Sequence, residues 1–235
     1  MMRSIGLPCC VDFCPFWATS SGRHYWNVTF DRNKRPVPFA GTGKNFNVLT
    51  LPREVGKAYR VTYQKQPDAL ASIAPPREIP PGYFRSPYLK DVTSEYGDVA
   101  DVKVSADFLL DRDNIRYAFA AVFNYSKWGI VAWTPIKKEG NESSASFRNM
   151  QRGCVYLSMS YYKGKTQSLS HPFSIDSAGT IEHLAPDTLH KRDITLYQQD
   201  GYLIYRPGKK YTLFYWDEQW KEVATKVNYI QNIFR

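Results

Sequence analysis

The rhythm of the second half of this chain restricts its fold more than any other feature. After residue 90, short runs of alternating or continuous apolar residues recur, and turn signals cut them at brief intervals. In 99–104, Val102 and Val104 alternate with Asp101 and Lys103. Residues 115–123 and 128–133 are apolar runs rich in β-formers. In 154–162, Val155, Leu157, Met159 and Tyr161 fall on one face and Tyr156, Ser158, Ser160 and Tyr162 on the other. Residues 193–197, 202–205, 211–216 and 221–227 continue the pattern, with breaks at Glu139-Gly140-Asn141, Lys163-Gly164-Lys165 and Pro207-Gly208. A period of two puts successive side chains on opposite faces of a strand. Many such strands with short turns predict a mainly β fold, an antiparallel sandwich or barrel. No helical pattern longer than two turns follows residue 90.

Prolines divide the chain. Eleven of the 15 precede residue 91, and six lie between Pro67 and Pro87. Proline lacks an N–H and fixes φ, which disfavours helix and central strand. Residues 67–90 therefore read as an extended connector, laid against a domain where Ile73, Ile79, Tyr83 and Phe84 need cover. The expected organisation is 1–66, the connector, a β-sandwich over 91–190, and a second β module over 191–235. A faint echo links residues 120–128 with 212–220, each a strand, a polar turn and a Trp. On that match the second copy lacks its closing strand, so the C-terminal module is expected to be truncated.

The formal net charge of +9 raises the question of a nucleic-acid partner. Residues 1–90 carry 13 Lys/Arg against 5 Asp/Glu, and the rest carries 18 against 17. The excess is scattered singly, with no basic arm, so no nucleic acid is expected. No apolar run is long enough for a membrane span or a signal peptide. Cys9, Cys10, Cys14 and Cys154 do not form the two separated pairs of a zinc site, and no two histidines are spaced as ligands. Gly41-Thr42-Gly43-Lys44 lacks the upstream spacing of a phosphate loop. No metal or other cofactor is expected.

The N-terminal segment carries the one chemical motif. Residues 3–8 read as a helix end broken by Gly6 and Pro8. A strand follows at 9–13 and a loop at 14–22. A second strand places His24, Trp26, Val28 and Phe30 on one face, and 34–41 forms its hairpin partner. A histidine there acts as a base only with a nucleophile and an orienting group beside it.

The stretch RSIGLP…RHYWNVTFDRNKRPVPFAG resembles the second half of the transglutaminase-like core of the papain-like cysteine fold. That family has an LRxLGIP-type helix end, a GHxWN strand carrying the catalytic His, and an Asp after the next strand. KAYRVTYQKQ, EIPPGYF, VFNYSKWGIVAW and FRNMQRGCVYLSMSYYKGKTQ resemble segments that follow this core in bacterial secreted members, where β-sandwich modules come next. The resemblance implies a partial α/β core, strands without the nucleophile helix, and an extracellular or periplasmic location. It places His24 at the catalytic His and the nucleophile helix before Arg3. Ala40 stands where the orienting Asp is usual, which leaves the triad incomplete.

The expected function is thus a non-catalytic fragment of a secreted transglutaminase-like protein with a structural or binding sandwich, whose partner is a glycan or protein at the cell surface. One alternative is a carbohydrate-binding sandwich using Tyr125, Trp128, Trp216 and Trp220, whose rings can stack on sugars. These same rings fill the core in the simpler reading. Another is a cysteine hydrolase or acyltransferase that pairs an internal Cys with His24.

Overall fold

The structure is a computed structural model that describes residues 2–41, 51, 54–106, 115–124, 127–140, 142–185, 187, 189–190, 194–195, 208–217, 219–227 and 233–234. It is mainly β, and every strand pairing in it is antiparallel. The chain forms two compact units, Met1–His183 and Leu184–Arg235. Segments 1–66 and 67–90 share the first unit with most of 91–190.

A first sheet contains β1 (Cys9–Cys14), β2 (His24–Phe30), β3 (Pro36–Phe39), β4 (Tyr59–Val61) and β5 (Leu89–Asp91), in the order β3-β2-β1-β4-β5. Its edge strand β3 carries Pro36 and Pro38, which cannot donate to a further strand. The turn from β2 to β3 is held by Asp31, whose Oδ1 accepts the backbone N–H of Asn33 and of Arg35.

The second sheet contains β6 (Val99–Ser105), β7 (Tyr117–Asn124), β8 (Lys127–Glu139), β9 (Glu142–Gln151), β10 (Cys154–Tyr162), β11 (Lys165–Ser168), β12 (Phe173–Ile175) and β13 (Ile181–His183). Its order is β13-β12-β10-β7-β8-β9-β6, with β11 also on β10. β7 and β10 are central and buried on both faces over most of their length; β7 reads as an apolar run, whereas β10 keeps Ser158 and Ser160 in the interior. One core joins Val102, Val104, Val122, Phe147, Tyr156, Phe173 and Ile175, with Phe16 and Ala18 from the first segment packed against it. Phe16 reaches so close that a Cβ at Gly129 would sit 2.6 Å from its ring.

Side-chain hydrogen bonds tie the first sheet and its loops to the second sheet. Asn124 donates from Nδ2 to the carbonyls of Trp17, Ser20 and Gly22, and its Oδ1 accepts the Gly22 N–H. Tyr59 Oη donates to the Val131 carbonyl at 2.8 Å. Lys57, 2% exposed, donates from Nζ to Asp91 and to the carbonyls of Arg148 and Asn149.

The proline-rich stretch differs from the expected extended connector. It holds a single helical turn, α1 (Leu70–Ile73), 3-10 turns at Pro76–Glu78 and Tyr83–Arg85, and strand β5. Proline tolerates this because α1 falls between Pro67 and Pro75, and Pro76 occupies the first turn position, where no N–H is needed. Leu70, Ile79 and Phe84 are buried, Tyr83 donates its hydroxyl to the Ile130 carbonyl, and Ile73 stays exposed.

In the second unit, β14 (Ile194–Thr195) pairs with β17 (Ile233–Phe234), and β15 (Lys210–Asp217) pairs with β16 (Gln219–Val227). The two halves of the sequence echo are both hairpins: Phe123 lies opposite Trp128, and Trp216 opposite Trp220. Most of 193–197 and all of 202–205 lie outside the described residues. Among the described residues no helix is long and apolar enough to cross a membrane.

Candidate functional site

His24 opens β2 directly opposite Cys14, the last residue of β1. Facing residues of an antiparallel pair share one side of the sheet. Cys14, His24 and Trp26 therefore lie on the same side, with Asp12 opposite Trp26 and Arg60 opposite Asp12. Cys14 and Trp26 enter a small core with Trp17, Val28, Val55, Ala58 and Val92. The His24 side chain is exposed at the rim. Its ring stacks on Trp17 at 5.8 Å and on Trp26 at 5.9 Å, each at 23°. Among the described residues its side chain makes these two ring contacts and no hydrogen bond.

The structure thus brings a thiol next to the histidine predicted from sequence, but through the backbone. Burial pushes the Cys14 thiol up to about 12, only partly opposed by a hydrogen bond from the His24 main chain. Burial likewise raises Cys154 to about 11 and lifts Cys10 above its ordinary value. A cysteine nucleophile needs the opposite shift, a thiolate held by a cation or helix N-terminus. Ala40 follows β3 as an exposed residue without a carboxylate. Asp31, at the far end of β2, is engaged in its own turn.

Beside this pair lies a charged network that the sequence reading did not single out. Asp12 is fully buried and takes a two-pronged contact from Arg60, Nε to Oδ1 at 2.9 Å and Nη2 to Oδ2 at 2.8 Å. Tyr96 donates its hydroxyl to Asp12 Oδ2 at 2.6 Å and accepts the Trp26 indole N–H at 2.8 Å. Arg60 also reaches Glu95, through Nη2 at 2.5 Å, and lies over the Phe30 ring. Burial opposes the guanidinium charge, but the bonds to Asp12 and Glu95 outweigh it and hold Arg60 protonated. Burial and the Asp12 contact keep the Tyr96 phenol neutral. The signal was present in CCVDFC, where a carboxylate sits inside an otherwise apolar strand and must find a cation.

The aromatic candidates fall in two places. Trp128 is half-buried beside Phe123, ring centroids 5.7 Å apart, at the end of the β7–β8 hairpin. Trp216 and Trp220 meet edge to face at 5.2 Å in the β15–β16 hairpin, where Trp220 is 38% exposed. Tyr125 lies outside the described residues. Among the described residues no three His, Cys, Asp or Glu side chains cluster as a metal site would require. No family model matches this chain, and neither a curated protein nor a solved structure matches it.

Proposed function

We propose that these residues form a non-catalytic β module, structural or ligand-binding, of the kind the transglutaminase-like resemblance implies for a secreted protein. In this reading, an extracellular or periplasmic location comes with the resemblance. His24 serves as the outer ring of an aromatic stack, and no cysteine of this chain serves it as nucleophile. The observation that carries the reading is the state of Cys14. It is the thiol opposite His24, and burial leaves it neutral over the whole physiological range.

Timed iodoacetamide labelling with peptide mass spectrometry tests this. The half-buried Cys9 and Cys10 are expected to react before Cys14 and Cys154. Cys14 labelling rises about tenfold per pH unit towards its pKa of about 12, because only the thiolate reacts. His24→Ala leaves the order unchanged. Rapid labelling of Cys14 at pH 7, lost in His24→Ala, establishes the cysteine-enzyme alternative instead.

The partly exposed Trp220 against Trp216 favours a second reading, carbohydrate binding. Under it, glycan-array signal falls at least tenfold in Trp220→Ala while the circular dichroism of the chain is retained. An array with no signal for the unaltered protein removes this reading.

A further inference from the structure

A cleft of about 330 Å³ opens where β1 begins, and its lining includes Arg3, Cys10, Val11, Asn27, Phe39 and Tyr63. That volume is at the lower end for small-molecule sites. Its walls are largely apolar, and among the described residues no carboxylate lines it. The Arg3 guanidinium lies over the Tyr63 ring at 3.8 Å. Stacking on one face fixes the plane of a guanidinium and leaves its N–H edge available for an oxyanion. Arg3 has no ion-pair partner among the described residues. Burial keeps the neighbouring Cys10 thiol neutral, so it does not offset Arg3.

The lining includes a second polar group. The Asn27 side-chain amide has no hydrogen-bond partner among the described residues. It lies against the backbone of Gly41, where a Cβ would come within 2.4 Å of Asn27 Nδ2. The glycine thus makes room for the amide at the edge of the cleft. A fixed guanidinium, an unengaged amide and an apolar wall containing Val11, Phe39 and Tyr63 are the parts of a site for an anion carried on a flat apolar body.

We propose that this cleft binds a small organic anion, its oxyanion head on Arg3 and the Asn27 amide and its apolar body against Val11 and Phe39. The proposal stands apart from the reading of His24 and the thiols, and neither test affects the other. Titration of the ¹⁵N-labelled full chain by two-dimensional NMR, with benzoate, phenyl sulfate and neutral benzamide, tests it. Benzoate or phenyl sulfate is expected to move the Asn27 side-chain amide and the Val11 backbone signal, and the tighter of the two identifies the preferred head group. Benzamide binds at least fivefold more weakly. Arg3→Gln, at an exposed position, weakens the anion at least fivefold with the rest of the spectrum intact, and Arg3→Lys falls between. Gly41→Ala, which displaces the Asn27 amide, weakens it as well. Equal binding of benzamide, unchanged affinity in Arg3→Gln, or shifts confined to signals away from the cleft overturns the proposal.

Discussion

Replacing Asp12 with alanine is expected to destabilise the chain by about 3–5 kcal/mol, the usual cost of breaking a buried ion pair from one side. The carboxylate is fully buried and receives three hydrogen bonds, two from Arg60 and one from Tyr96. Its removal leaves a guanidinium in the interior with Glu95 as its remaining carboxylate partner. It also strands the Tyr96 hydroxyl, which still accepts the Trp26 indole. Urea denaturation followed by tryptophan fluorescence measures the loss. A double replacement, Asp12→Leu with Arg60→Met, is expected to recover much of it, because an apolar pair of similar volume needs no desolvation. A midpoint unchanged in Asp12→Ala would show that the network contributes nothing to folding.

Asp91→Asn is expected to cost about 3 kcal/mol at pH 7, with a distinctive pH dependence. Lys57 is buried, and burial already lowers its pKa against the pull of Asp91. The neutral amide removes that pull, so the folded-state pKa of Lys57 drops further below its unfolded value. Between those two values the unfolded chain binds more protons than the folded one, and stability rises with pH. The deficit of Asp91→Asn is therefore largest near neutrality and shrinks as pH climbs towards 10.5 and Lys57 sheds its proton. Urea midpoints for both proteins from pH 7 to 10 check this. A deficit constant with pH would show that Lys57 stays charged without its partner. The loss also loosens the link between the sheets, since the same ammonium holds the Arg148 and Asn149 carbonyls at the end of β9.

Both residues were hard to see in the sequence. Lys57 stands in EVGKAYR and reads as an ordinary surface cation. Its burial depends on β9, more than 90 residues away, folding over it. Asp12 was legible as an anomaly, a charge inside CCVDFC, but its partners Arg60 and Tyr96 are 48 and 84 residues distant. Local periodicity carries no information about such pairings. The proline-rich stretch shows the same limit: composition excludes a long helix there, but it does not say that Leu89–Asp91 will find β4.

Local residue patterns were enough for the β class, the N-terminal strands and most strand positions of the first unit, because a period of two and turn residues act over a few neighbours. They also located His24 on a strand whose alternate residues Trp26 and Val28 are buried. What stands around that histidine follows from how the strands and sheets pack: a neutral thiol across the strand pair, two indoles stacked on its ring, and a buried Asp12–Arg60 pair in the same sheet. Ionisation and reactivity depend on burial and on partners far along the chain, and those are set when the sheets pack.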